Sequence, residues 1–405
     1  MQPLITREQD LVLLTTELKQ EPAFAIDTEF ERERTYWPRL QLIQVAGRRT
    51  TAVIDPLALE NLDPLYDLLR DPSLVKVTHA GRQDAEIFYN RMRVPPANIY
   101  DTQIAAAFLG YGDQIGYAAL VNRLLNVRLR KTERVTDWAL RPLSSGQIEY
   151  ALADVRHLLE LRERMNASLE KKGRLAWLDE ELTFYADPSF YAEDPARAWM
   201  RISGWRGLDR RGLGMLRELV LWREREAGRR DIPRNRVLPD DVLLDIAARA
   251  PRTVSDLSPL RRLPAKELER NGPALLKAVD LARNLPEPEL PLPPPVPRDD
   301  PDASLIADLL SVLLRRRARD LEIAPSLLGN RRALEDLVGW LSGPRTEPEP
   351  ALLHGWRGDL VGRQLAALWR GNPRWLWTAN ARFQFGRSSR SMRFAKGSTR
   401  KASRA

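Results

Sequence analysis

The sequence predicts an α/β domain followed by an all-α half, and three observations predict it. Apolar runs of strand length alternate with helical periodicity over roughly the first 175 residues, the layout of strands interleaved with helices. From about residue 194 the strand signals vanish, leaving short amphipathic helices separated by Pro and Gly. Between residues 286 and 301, eight of sixteen residues are proline, the composition of an extended, semi-rigid spacer expected to join no core.

Residues 24–27, 40–46 and 51–54 read as strands, and Gly47 with two arginines forms a short turn between the last two, so a hairpin or meander fits. A helix near 64–69 precedes a buried strand at 75–78, and a helix at 84–93 follows it. Asp101 and Thr102 open a helix through Phe108, and residues 116–125 form another. One long helix is expected from Ser144 to about Met165, its start marked by Ser144 and Gln147 at capping-box spacing. In the helical half, Arg225, Ala227, Ile232, Leu243 and Asp245 recur 91 positions later as Arg316, Ala318, Ile323, Leu334 and Asp336, the mark of a duplicated module. The expected division is therefore 1–175, 194–282, a linker at 283–303, 304–371, and a basic, disordered tail at 372–405.

Composition narrows the chemistry. There is no cysteine, and the histidines are His79, His157 and His354, so disulfides, thiol catalysis and almost every structural zinc site are excluded. A metal would have to be held by oxygen, which selects hard ions such as magnesium or manganese. No apolar run approaches the roughly 18 residues needed to span a bilayer, and the first ten residues lack a signal-peptide layout, so a cytoplasmic protein with no membrane partner is expected. The net charge of +9 resides in residues 371–405, which hold nine Lys or Arg and no acid. With Trp375, Trp377, Phe383, Phe385 and Phe394 this tail offers phosphate attraction and stacking surfaces; its plainer reading is a solvated tail that aids solubility.

Three segments carry the candidate chemistry: AIDTEF at 25–30, THAGRQDAEIF at 78–88 and EYALADV at 149–155. Asp27 and Glu29 stand two apart at the end of a strand, so they project to the same side. Tyr150 and Asp154 stand four apart on a helix, one above the other. Asp84 opens a helix after a strand, at the kind of sheet edge where sites assemble. Singly, each has a plain reading: a solvated strand end, a first-turn acid favoured by the helix dipole, the edge of a helix face. If the four carboxylates converge, their repulsion calls for divalent cations. Two such ions roughly 4 Å apart can clamp a phosphodiester while Tyr150 orients the attacking water. Asp101 is assigned to capping the helix after it and lies outside the metal set; His79 is expected to support the site region or bond the backbone.

In order and spacing, these segments closely resemble the three exonuclease motifs of the ribonuclease D family, in the tyrosine branch of the DEDD exonuclease superfamily. The resemblance extends to ERERTYWPRLQLIQ at 31–44, IDPL at 54–57, YDTQIAAAF at 100–108 and TDWALRPLS at 136–144. Helices around 216–226 and HGWRGDL at 354–360 resemble two helicase-and-ribonuclease-D C-terminal (HRDC) modules. The resemblance implies a ribonuclease H-like catalytic domain, a mixed sheet flanked by helices, followed by two small all-α HRDC-type domains. It also implies two magnesium or manganese ions per site and removal of nucleoside 5′-monophosphates from the 3′ ends of transfer-RNA precursors and other structured RNAs by a monomer. Carried over by motif position, the metal ligands are Asp27, Glu29, Asp84 and Asp154, and Tyr150 is the water-orienting residue. The histidine branch would place His where Glu149 stands. The basic tail is the main departure.

Two other readings remain open at this level: a non-catalytic RNA-binding adaptor, and a DNA-directed exonuclease of the same superfamily, since the metal chemistry is indifferent to the 2′-hydroxyl. A helicase is disfavoured because the sequence contains no Gly-Lys dipeptide and so no P-loop.

Overall fold

A computed structural model describes residues 3–129, 137–191, 194–258, 260, 262–263, 265–293, 301–343 and 348–369. The expected basic tail lies outside the described residues, as do residues 294–300 of the spacer.

The first half holds β1 (Leu4–Ile5), α1 (Glu8–Leu18), β2 (Ala23–Glu31), β3 (Arg39–Ala46), β4 (Thr51–Ile54), α2 (Asp63–Arg70), β5 (Val75–Thr78), α3 (Arg82–Met92), β6 (Ile99–Asp101), α4 (Thr102–Phe108), α5 (Tyr117–Leu125), α6 (Ser145–Arg156), α7 (Leu158–Lys171) and α8 (Leu175–Leu182). The strands form one mixed sheet in the order β1-β4-β3-β2-β5-β6. β2, β3 and β4 are antiparallel neighbours; β1 joins β4, β5 joins β2 and β6 joins β5 in parallel. Helices cover both faces, which is why β3 is buried at every residue but its first. Alternation along β2 sends Phe24 and Ile26 into a core with Leu11 and Leu14 of α1, Leu65 and Leu68 of α2, and Ile87 and Phe88 of α3. Ala23 and Ala25 face the other way, toward α4 and α7.

The strand bounds at 51–54 and 75–78 are those expected, and the Ser144–Gln147 capping box forms: Ser144 N–H donates to Gln147 Oε1 at 2.9 Å and Gln147 N–H to Ser144 Oγ at 3.1 Å. The single helix expected from 144 to about 165 is instead two, α6 and α7, which meet at His157. The cause is Tyr117. Its hydroxyl donates to the Ala153 carbonyl at 3.1 Å and accepts from the His157 N–H at 3.2 Å, two groups that would otherwise bond to each other. A side chain wedged into the i→i−4 ladder breaks a helix there.

The helical half contains a separate core formed by the helices Arg210–Arg230, Asp240–Arg249 and Ala265–Arg283. The spacer does not stay clear of it. Leu290 is 3% exposed, and Arg210, Arg211 and Arg217 of the first of these helices donate to carbonyls between Ala282 and Leu290. Charged donors for its carbonyls turn this part of the spacer into packed structure. The helices Pro301–Leu321, Pro325–Leu328 and Arg331–Ser342 each begin 91 residues after Arg210–Arg230, Arg234–Val237 and Asp240–Arg249, the offset found in the sequence.

The two parts of the helical half attach differently. Residues of 307–366 share one core with α4, α5, α7 and α8, where the Trp356 ring lies 5.1 Å from Phe108 and 5.8 Å from Trp177. The unit of residues 198–282 instead meets the β2–β3 loop through polar contacts. Tyr36 Oη donates to Glu224 at 2.7 Å, and Asp231 accepts from the Tyr36 and Trp37 N–H groups at 3.2 Å and from Arg39 at 2.8 Å. Among the described residues no helix is long and apolar enough to cross a membrane.

Candidate active site

β2 runs past the end of β5: their pairing covers Ala23 to Ala25, so beyond Ala25 one edge of β2 has no strand partner. The candidate site is built around that stretch. Asp27 and Glu29 are partly exposed and lie on the α6 side of the sheet, while Thr28 between them is buried on the opposite side. α6 crosses the first side, placing Ala151 and Leu152 on Leu42 and Val53, and carries Tyr150 and Asp154 on successive turns. Tyr150 packs on this cluster, its ring 6.0 Å from that of Trp138.

Asp84 arrives from the other layer. It sits in the first turn of α3, and its Oδ1 accepts the Thr28 hydroxyl. The turn before α3 is fixed by Asp101, which accepts from the Ala80, Gly81 and Gln103 N–H groups at 3.0, 3.1 and 2.8 Å and from Tyr185 Oη at 2.7 Å. Asp101 therefore caps α4, as expected, and also holds Ala80 in its left-handed conformation (φ 57°). His79 is likewise tied to the framework. Its Nε2 meets the Ile115 carbonyl and its Nδ1 the Thr102 hydroxyl, both at 2.9 Å, and burial lowers its pKa. Nε2 carries a proton, because the Ile115 carbonyl can only accept.

The acids act on one another electrostatically. The Asp27 carboxyl is pushed well above the usual range, first by burial and then by Asp84, Asp154 and Glu29. Glu29 rises to about 7 through burial, Asp154 and Asp84. Asp84 rises to about 6 by burial, opposed by the Thr28 hydroxyl, and Asp154 to about 6 by burial. The sequence-selected acids are thus one charge cluster around the open edge of β2: Asp27, Glu29 and Asp154 on the α6 side, and Asp84 reaching that edge from α3, where it accepts from Thr28. As the side chains stand, no three His, Cys, Asp or Glu residues among the described ones are grouped to hold an ion. The donor chemistry nevertheless fits hard divalent cations, since every acid of the cluster offers only oxygen and its ionised form is disfavoured until a positive charge compensates it.

Sequence reasoning missed three residues. Thr28 was hidden as the middle of Asp-Thr-Glu, and the signal available was its small polar side chain on the buried face. Tyr117, whose own pKa is raised by burial with Asp154 and Asp27 among the contributors, lies 40 residues from the helix it breaks. Gln44 is, with Gln41, one of two glutamines inside the otherwise apolar run of β3, and the more deeply buried of the pair.

Comparison with known proteins agrees with this architecture. The 3′-5′ exonuclease family matches residues 3–170 and the HRDC domain family matches 212–279. Ribonuclease D of Granulibacter bethesdensis is 44% identical over 375 residues, covering 91% of this chain and 92% of that protein. Ribonuclease D of Zymomonas mobilis is 43% identical over 380 residues, covering 91% and 94%. Among solved structures, Escherichia coli RNase D, described as an exoribonuclease involved in structured RNA processing, superposes with a TM-score of 0.82 at 35% identity, covering 92% of this chain and 99% of that one. With such identity sustained over nine-tenths of its length, the chain belongs to the ribonuclease D family of 3′-5′ exoribonucleases.

Proposed function

We propose that this exoribonuclease trims the 3′ ends of structured RNAs, transfer-RNA precursors among them, using two magnesium or manganese ions held by Asp27, Glu29, Asp84 and Asp154, with Tyr150 orienting the attacking water. The observation that carries this reading is the electrostatic response of Asp27, whose carboxyl is raised by each of the other three acids. When bound, the ions supply an activated water and stabilisation of the departing 3′ oxygen. The chain's own residues do the rest. Asp27 and Glu29 project from a strand whose neighbours are fixed by the sheet, so two donors keep a constant spacing. Asp154 is presented from α6, and Asp84 joins from α3 across the open edge of β2. Tyr150, one turn before Asp154, offers a hydroxyl oxygen that accepts a hydrogen bond from the water, leaving a lone pair of that water's oxygen aimed at phosphorus. The P–O3′ bond breaks as the new P–O bond forms, releasing a nucleoside 5′-monophosphate.

The same reading divides the chain into a catalytic domain at 1–175, an HRDC domain at 194–282 and a second HRDC-like domain at 304–371, supported by the recurrence of three helices at an offset of 91. All five residues lie in one chain, so a monomer suffices.

The test is incubation of a 5′-labelled transfer-RNA precursor and a matched single-stranded DNA with wild type and Asp27→Ala, in magnesium and in chelator. Stepwise shortening of the RNA from its 3′ end, by wild type in magnesium alone, is expected. Undiminished shortening by Asp27→Ala or in chelator overturns the assignment, and equal rates on DNA overturn the RNA preference.

A further inference from the structure

Gln44 is 0% exposed, at the centre of β3, and neither its Nε2 nor its Oε1 makes a hydrogen bond with any described residue. A buried side-chain amide without partners costs the fold free energy, so such a residue needs another reason to be there. Its surroundings supply one. In the β2–β3 ladder Gln44 is the direct partner of Asp27, and directly opposed residues of an antiparallel pair stand on the same face with Cβ atoms about 5 Å apart. On its other side Gln44 pairs with Val53. Over the same face lie Leu42, Ala151 and Leu152, none with a polar side chain to offer. Tyr150 packs on this cluster as well, but Asp27 is the acceptor that stands directly opposite Gln44 in the ladder, and an ionised carboxylate has several lone pairs to accept with.

Resting on the nuclease reading above, we propose that Gln44 is a positioning residue, whose amide N–H group orients the Asp27 carboxylate from the sheet side so that its remaining lone pairs are aimed at divalent cations. Outer partners of metal-binding carboxylates work in this way, and losing one costs ten-fold to a hundred-fold in affinity or activity. The proposal separates cleanly from a purely structural role because the two give opposite signs. Replacing a buried, unpartnered amide by an apolar side chain of similar volume favours the fold, whereas it removes the donor to Asp27.

The test uses the full chain with Gln44→Met and, as a second packing solution, Gln44→Leu. Melting temperature is measured in chelator, Mn2+ affinity by electron paramagnetic resonance of free Mn2+, and kcat and KM on the labelled RNA. The expected result is a melting temperature equal to or above wild type, Mn2+ affinity down about ten-fold or more, and kcat reduced with KM nearly unchanged. Mn2+ affinity within two-fold of wild type in either folded variant overturns the proposal. So does failure of both to fold, since the amide would then belong to the framework. Wild-type protein that binds Mn2+ but cleaves nothing would fail the nuclease reading alone, and the Mn2+ comparison would still decide the part played by Gln44.

Discussion

Arg141 Nε and Nη2 donate to the two carboxylate oxygens of Asp55 at 2.6 and 2.8 Å, a two-point pair in which Asp55 is 3% exposed. The same guanidinium donates to the carbonyls of Trp138, Leu140 and Gln41. Gln41 lies at the bulge where the β2–β3 register shifts just after Glu29. Arg141 therefore joins three things: the end of β4, the bulge beside the acids, and the loop that leads into α6 with Tyr150 and Asp154. Bulges that re-aim side chains beside active sites need such external support.

Arg141→Ala is expected to leave Asp55 buried without its partner, at a cost of about 3 kcal/mol or more. The melting temperature should fall by several degrees, and kcat should fall more than KM rises, because α6 loses its fixed distance from β2. Thermal melting together with steady-state kinetics checks this. An intact kcat in a destabilised variant would show that α6 is held by its apolar contacts alone.

Tyr117→Phe removes the hydroxyl from between Ala153 and His157 while keeping the ring. The freed N–H and C=O can then bond to each other, so the stability change is expected to stay within about 1–2 kcal/mol. Closing the ladder there shifts the turn bearing Asp154, and activity in magnesium is expected to drop about ten-fold, since a displacement near 1 Å can cost as much as a hundred-fold. Measured rates equal to wild type would detach the helix break from the site.

Much of this arrangement was legible in the sequence, for identifiable reasons. The strand bounds at 51–54 and 75–78 could be read because their apolar runs are bordered by turn residues, and α6 because Ser144 and Gln147 are local to its start. Asp101 was readable as a cap for the same reason. The acids were chosen by spacing within strand and helix, but the open edge of β2 across which Asp84 reaches the other three is a property of topology. β1 and β6, with two and three residues, are too short to leave a periodic signal and are strands because of their neighbours. Nor could the sequence indicate that residues 307–366 share the catalytic core, because that burial comes from partners some 200 residues away.

The raised acids set a pH dependence whose sign follows from linkage. Glu29 titrates near 7 and Asp84 and Asp154 near 6 in the folded chain, against ordinary values of 4.5 and 3.8. Between these limits the folded state holds more protons than the unfolded one, so stability falls as pH rises. In chelator the melting temperature is expected to be highest near pH 4–5 and to decline through pH 7. Excess magnesium should reverse that decline above pH 7, where the cation replaces the protons. Asp154→Asn should flatten the chelator profile. A melting temperature that rises from pH 5 to 7 in chelator would mean that burial does not hold these acids above their ordinary range.

The contrast between the two helical attachments gives a further expectation. Tyr36, whose hydroxyl is pushed up to about 12 by burial and its bond to Glu224, belongs to a small polar contact with Asp231 and Arg39 at its edge. Partly exposed pairs of this kind contribute about 1 kcal/mol or less each, so Asp231→Ala should leave global stability almost unchanged. It should loosen the 198–282 unit from the β2–β3 loop, which begins just beyond Glu29. Cleavage of a short unstructured oligonucleotide, which needs the acids alone, is expected to keep its kcat/KM, while KM for a structured precursor should rise several-fold. Equal changes on both substrates would place the contact's role within the catalytic domain.

Trp356 is the opposite case. It is 3% exposed between Phe108 and Trp177, its backbone N–H donates to Glu180, and Arg357 beside it pairs with Glu181 at 2.7 Å. Trp356→Ala removes a large ring from a core shared by both halves, a change that costs about 3–5 kcal/mol. Because α4 and α7 belong to that core, the loss is expected to reach the catalytic sheet, lowering the melting temperature as one cooperative transition and reducing activity on the short oligonucleotide as well. Differential scanning calorimetry resolves the alternatives. A separate low-temperature transition for residues 301–369, with the catalytic transition unmoved, would mean that the shared core does not couple the two parts.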